Sequence, residues 1–167
     1  MLDLALNHSE ELQKKFRDTW FSEDYKFYSC VNYYEDFKVS DSTWNYHQFV
    51  SVDGDKNIIG YIGYCIERAD NSVDGLTIIN FTKDNKTEFG IDIANAIRDI
   101  FKKYHFRKLD FAVVVGNPVE KIYDAMVTKY NGRIVGTKKE HAHLYDGKYY
   151  DLKLYEILSK DYLNSIE

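Results

Sequence analysis

The sequence predicts an α/β fold in which a mixed (α+β) sheet is flanked by helices. Three observations carry that reading. Apolar residues alternate with period two in the stretches 44–67 and 133–158, they recur at helical spacing in 89–104 and 119–130, and an unbroken apolar run, Ala112 to Val115, lies between the two helical stretches. At 167 residues, with 44% hydrophobic and 29% charged residues, the chain can bury roughly two-thirds of its unfolded surface. One domain spanning 1–167 is expected, since no repeat, low-complexity tract or Gly/Pro/Ser-rich linker divides it.

The first part, 1–43, reads as helical. Asn7 or Ser9 can cap a helix that puts Leu12 and Phe16 on one side, and a second helix from about Ser22 carries Tyr25, Tyr28 and Val31 at spacings of three. The part 44–82 reads as antiparallel strands: one to Val52, a turn at Asp53-Gly54-Asp55, a second from Asn57 to about Glu67, and a third, "GLTIINF", ending at Phe81. In the part 83–131, Phe89, Ile93, Ile97, Ile100, Phe101 and Tyr104 form one helical stripe. "KLDFAVVV" follows as a strand buried on both faces, and Val119, Ile122, Tyr123, Met126, Val127 and Tyr130 make a second stripe that stops at Asn131-Gly132 as a left-handed cap requires. The part 132–167 is a hairpin around Asp146-Gly147, the chemistry of a two-residue turn. The strand-helix-strand unit from Leu76 to Val115 must cross over right-handedly, which makes its two strands parallel.

A net charge of −5 argues against nucleic acid as the main partner, because phosphate binding depends on clustered Lys and Arg, and favours a cationic or amine-bearing one. Cys30 and Cys65 stand far apart with no metal spacing, so reduced thiols are expected and no metal site. The start, "MLDLALNHSEELQKKF", has acids where a secretory signal needs a positive region, and no 18-residue apolar run occurs. A cytoplasmic protein without membrane partners is expected.

The only proline, Pro118, stands in "FAVVVGNPVEKIYDAM", directly after the most strand-like run and directly before a helix. It cannot donate to a ladder, it biases Asn117 toward an extended backbone, and it presets a helix start. Strand pairing is therefore expected to stop there. A gap between parallel strands leaves amide and carbonyl groups that a ligand's amides can satisfy as an added strand would.

The order of elements from Tyr46 to Leu158, with "GNPVEKIYDAM" after the central strand, resembles the GCN5-related N-acetyltransferase (GNAT) family. The resemblance implies a central sheet with two splayed parallel strands and an acyl-CoA, acetyl-CoA or another, lying in the cleft between them. It implies a cofactor-binding set of Phe81 and Thr82 at one strand end, Thr87, Phe89, Gly90 and Ile91 at the start of the crossover helix, and Asn117 and Tyr123 on the other side. The family usually carries Gln/Arg-x-x-Gly-x-Gly/Ala at that helix start, where backbone amides and the helix dipole hold pyrophosphate. Here the aligned piece is "TEFGID": Gly90 falls on the middle glycine, Thr87 replaces Gln/Arg, and Asp92 replaces the small residue, where a carboxylate repels phosphate. Lys83 and Lys86 offer replacement charge; Thr87 and Glu88 also read as an N-cap and a first-turn acid.

The resemblance further implies transfer of an acyl group, acetyl in the simplest case, to a small amine or a peptide amine. Tyr123 is the nearest match to the family's thiolate-protonating tyrosine, although the usual interval from Asn117 falls on Asp124; a core tyrosine is the alternative reading. Glu67 is the candidate base, with Asp74 a second carboxylate, and His141 and His143 share a strand face. Trp20, Phe21, Tyr25, Phe27, Tyr28, Tyr33, Tyr34 and Phe37 crowd the acceptor side as core, or as a groove. A monomer or homodimer is expected. Two rival readings are a CoA-binding or regulatory module without turnover, and a self-associating protein using "YYDLKLY" as a sheet edge.

Overall fold

The computed structural model describes residues 1–28, 37–82 and 86–166. The expectations placed on Cys30, Val31, Tyr33, Tyr34 and Lys83 lie outside them. The strands are β1 (Leu2–Leu4), β2 (Tyr46–Val52), β3 (Ile58–Glu67), β4 (Ser72–Asn80), β5 (Lys108–Val114), β6 (Arg133–His143) and β7 (Tyr149–Leu158). The helices are α1 (Ser9–Asp18), α2 (Lys86–Lys102), α3 (Glu120–Lys129) and α4 (Ser159–Ser165). Among the described residues one seven-stranded sheet runs in the order β1-β2-β3-β4-β5-β7-β6, and its only parallel pair is β4 with β5.

The sheet separates two apolar clusters. On one face α2, α3 and α4 bury Phe89, Ile97, Ile100, Phe101, Val127 and Tyr162 against Ile62, Leu109, Phe111 and Ile157. On the other, Leu12 and Phe16 of α1 pack on Val50, Tyr61 and Ile79. Each fully buried side chain of this size contributes about 1.5–3 kcal/mol. That outweighs the roughly 1 kcal/mol that a glycine inside the first turns of α2 costs.

Three sequence expectations are corrected, and two short elements were not anticipated. Among the described residues of the expected second helix, 22–28, a 3-10 turn at Glu23–Tyr25 stands in its place, preceded by Phe21 in a left-handed backbone (φ 57). Tertiary contacts of Tyr25 and Tyr28 with the α1 cluster produced the three-residue spacing that reads as helical. The last turn has three residues rather than two: Leu144 N–H donates to Lys148 O at 3.1 Å, and Gly147 sits at φ 76 as a bulge glycine. "YYDLKLY" belongs to β7, which is paired on both sides by β5 and β6, so the exposed edge is β6. Finally, β1 and α4 had no periodic signal of their own, being three and seven residues long.

The left-handed cap is at Asn131 (φ 53), with Gly132 N–H closing on Val127 O at 2.8 Å. Gly132 is needed for space, because a Cβ there would meet Glu156 O at 2.6 Å. The stripe of α3 is narrower than its sequence, since Ile122 is 64% exposed.

Candidate active site

The parallel strands part early. β4 and β5 are in register only at Ser72–Lys108 and Val73–Leu109, although each strand continues for five residues or more. Immediately beyond the last pair, β4 carries an extra residue opposite β3, between the Cys65–Asp74 and Gly63–Thr77 pairs, and Gly75 adopts φ 61. A bulge of this kind bends its strand and increases local twist. It swings β4 away from β5. The parting therefore begins at Gly75, not at Pro118 as the sequence had predicted; Pro118 follows the end of the β5–β7 ladder, where Val115 N–H donates to Asp151 O at 2.9 Å.

The two walls of the wedge present free backbone edges. Phe81 N–H donates to Ile59 O at 3.0 Å, so by strand alternation Asn80 and Ile78 turn their amide and carbonyl groups away from β3. Likewise, the Val115 bond to β7 leaves Ala112 and Val114 facing the wedge. Val114 O is used by Asn117 N–H at 3.0 Å, in a turn that needs Gly116 at φ 95. Asn117 Oδ1 accepts Val119 N–H at 3.0 Å, and Glu120 Oε2 accepts Gly116 N–H at 3.1 Å, so the strand end and the first turn of α3 are locked together.

At the other wall, Phe81 packs edge-on to Phe16 with ring centroids 5.6 Å apart, and Thr82 N–H donates to Asn80 Oδ1 at 3.0 Å. Thr87, Gly90 and Ile91 are exposed in the first turns of α2, and a Cβ on Gly90 would meet nothing within 4 Å. Phe89 is buried, its ring filling the place that a Cβ on Gly60 would occupy. Gly60 thus lets the start of α2 sit down on β3. Asp92, expected to confront phosphate, is instead buried against the sheet: Ser51 Oγ donates to it at 2.6 Å and the Met1 amino nitrogen lies 3.0 Å away.

Tyr123 faces the core, edge-on to Phe111 and Tyr155 with centroids 5.2 and 6.1 Å apart. Its neighbour Asp124 accepts Lys153 Nζ at 2.7 Å and Tyr155 Oη at 2.9 Å. The Lys153 bond, with the Tyr155 hydroxyl behind it, holds the Asp124 carboxyl below the usual range, while burial pushes the Tyr155 phenol up. Glu67 is not brought to this group. β3 runs antiparallel to β4, so the end of β3 pairs Glu67 with Ser72 at the zipped end of the wedge, where Glu67 Oε1 accepts Ala69 N–H at 3.0 Å. Asp74, exposed, stands near that end too. His141 is exposed, and His143 stacks on Tyr149 at 4.7 Å; no group of three His, Cys, Asp or Glu among the described residues is placed to hold a metal.

A segment whose aromatics read as core or as a groove crosses the mouth of the wedge. The Tyr25 hydroxyl donates to Asn80 O at 3.0 Å, on the free edge of β4. Phe27 lies against Gly116 at the end of β5, where a Cβ would meet it at 3.4 Å. Lys26 Nζ pairs with Asp146 Oδ2 at 2.8 Å in the β6–β7 turn.

Known proteins of similar structure share this fold. A chimera of Vibrio cholerae spermidine N-acetyltransferase SpeG with hSSAT aligns at 26% identity and a TM-score of 0.63 over 73% of this chain and 74% of its own. A single-substitution mutant of V. cholerae spermidine N-acetyltransferase SpeG aligns at 26% and 0.64 over 75% and 71%, and the V. cholerae spermidine/spermine N-acetyltransferase SpeG complexed with manganese ions at 25% and 0.62 over 75% and 72%. The chain has the fold of the GCN5-related N-acetyltransferases. No protein-family model matches the chain, and no curated protein matches it by sequence. The GNAT wedge is thus preserved here with an altered "TEFGID" loop, and its cause, the Gly75 bulge, had a sequence signal: Asp74-Gly75 inside a strand pattern.

Proposed function

We propose that the protein is an acyl-CoA-dependent N-acetyltransferase that acts on a small amine or peptide amine by direct transfer. The observation that carries this reading is the wedge beyond Val73 and Leu109, into whose two walls Ile78, Asn80 and Ala112 turn backbone groups, the Asn80 carbonyl already accepting the Tyr25 hydroxyl. The similar SpeG structures are spermidine N-acetyltransferases, which supports an amine acceptor. The residues present fit an acetyl-CoA: the strand edges suit an extended arm with two amides, and open space at Gly90 admits a pyrophosphate to the α2 amides.

Acetyl-CoA supplies the thioester whose C–S bond breaks as the C–N bond to the amine forms. Phe81 and Thr82 border one side of the arm, Asn117 fixes the α3 start on the other, and Thr87, Gly90 and Ile91 present the helix amides, with Phe89 anchoring that turn. The Tyr123 phenol is the proposed proton source for the departing thiolate. Glu67 has no part in this scheme. The protein is proposed to act as one domain, monomeric or homodimeric, in the cytoplasm, where acyl-CoA is made and used. Its net charge of −5 favours a cationic acceptor over nucleic acid.

Thiol release from acetyl-CoA across a panel of amines tests the reading. Release is expected with at least one amine, and Tyr123→Phe is expected to lower kcat by roughly a hundredfold without a matching rise in KM. The exposed Thr87 in place of Gln/Arg favours a second reading, a CoA-binding module without turnover. CoA binding without thiol release for every amine would select it.

A further inference from the structure

Lys26 is held in an unusual place for a surface lysine. Its Nζ lies 2.8 Å from Asp146 Oδ2 and above the rings of Phe27 and Tyr150, 5.7 and 5.5 Å from their centroids. The two rings meet edge to face at 5.8 Å, and the Tyr150 hydroxyl donates to the same Asp146 oxygen at 2.7 Å. The side chains of Lys26 and Asp146 are only 21% and 17% exposed. A carboxylate and two aromatic faces around one alkylammonium form the arrangement by which proteins recognise organic cations.

The location is as informative as the composition. Phe27 also packs against the small cluster of Val114, Ala142 and Leu144, and it abuts Gly116, where β5 ends. Tyr25, on the other side of Lys26, holds Asn80 of β4. The enclosed ammonium therefore sits in the segment that links the two wedge walls to the β6–β7 turn. A second carboxylate, Glu23, accepts the Tyr145 hydroxyl beside it.

We propose that Asp146, Tyr150 and Phe27 form a cage for an organic ammonium group, which Lys26 fills as an internal stand-in until a cationic ligand displaces it. Resting on the transferase reading, the ligand is a diamine acceptor: one nitrogen is acylated and the second, still protonated, enters the cage. Lys26 then acts as a built-in competitor that weakens the hold on the diamine's second charge. The cage adds a preference for dications that the wedge alone does not supply.

Two measurements test this separately. Butylamine is titrated by calorimetry, without acyl donor, into the wild type, Lys26→Met, Lys26→Gln and the double variant Lys26→Met/Asp146→Asn, with circular dichroism verifying each fold. Emptying the cage is expected to tighten butylamine binding roughly fivefold in both single variants, and Asp146→Asn to abolish that gain. Equal affinity in all four proteins overturns the cage. Thiol release is then compared for 1,4-diaminobutane and butylamine. Lys26→Met is expected to raise the diamine-to-monoamine ratio of kcat/KM roughly fivefold and Asp146→Asn to lower it. An unchanged ratio in both overturns the acceptor role. Absence of thiol release everywhere, with the butylamine order retained, refutes the transferase reading and leaves the ammonium cage supported.

Discussion

The Tyr25 hydroxyl donates to the Asn80 carbonyl across 3.0 Å, so a residue of the N-terminal region engages the edge of β4 that β5 has left. This bond does part of what a neighbouring strand would do. It leaves the carbonyl a second lone pair, and it ties the segment bearing Lys26 to the wedge. Tyr25→Phe is expected to cost about 1 kcal/mol in urea unfolding and to leave acetyl-CoA affinity equal or higher. Weaker acetyl-CoA binding in a calorimetric titration would instead identify the hydroxyl as a cofactor contact.

The Gly75 bulge gives the second prediction. At φ 61 a Cβ is strained, and it would also lie 3.4 Å from Cys65 Sγ, so Gly75→Ala should destabilise by about 1–2 kcal/mol. Gly54→Ala, with open space and no left-handed φ, is the control and should leave stability within about 0.5 kcal/mol. Because the bulge opens the wedge, Gly75→Ala should weaken acetyl-CoA binding where Gly54→Ala does not. Parallel melts and titrations of both variants check this.

Gly90 separates stability from binding. A Cβ there meets nothing, so Gly90→Ala should stabilise α2 by up to about 1 kcal/mol. If the α2 amides receive the pyrophosphate, the same methyl group should weaken acetyl-CoA binding, by roughly tenfold. A variant that melts higher and binds less well has the predicted signature; one that binds equally well places the phosphates elsewhere.

His47 predicts a pH dependence unrelated to the site. It is buried on β2, its Nδ1 lies 2.8 Å from the Tyr64 hydroxyl, and the Tyr104 ring is 4.6 Å away. Burial, reinforced by the positive charges of Arg68 and Lys103, lowers its pKa below the ordinary 6.5. The unfolded chain therefore binds the proton first as pH falls. Stability should be full above about pH 6.5 and decline below it, by at most about 1.4 kcal/mol per pH unit. Urea midpoints at pH 5 and 7 should differ less in His47→Asn than in the wild type.

Most of the scaffold could be read from periodicity, because burial on one face enforces it. The α2 residues Phe89, Ile97, Ile100 and Phe101 are buried where their spacing predicts, and β2, β3 and β5 lie within two residues of their predicted bounds. What escaped has no period. The bulge at Gly75 is one extra residue, the 3-10 turn at Glu23–Tyr25 is held by distant partners, and the Lys26–Asp146 pair joins positions 120 residues apart. Asp92 shows the same limit: sequence alignment puts it in the phosphate loop, while Ser51 and Met1 draw its carboxylate to the sheet. Glu67 was chosen for lying at a strand end, but antiparallel pairing makes that the closed end.

The central claim, that the gap between β4 and β5 receives the arm of a thioester cofactor, is tested most directly by amide hydrogen exchange with and without acetyl-CoA. The account predicts new protection at Ile78, Asn80 and Ala112, the amides turned into the wedge, together with the first turn of α2. Unchanged exchange at those amides with millimolar acetyl-CoA would contradict it.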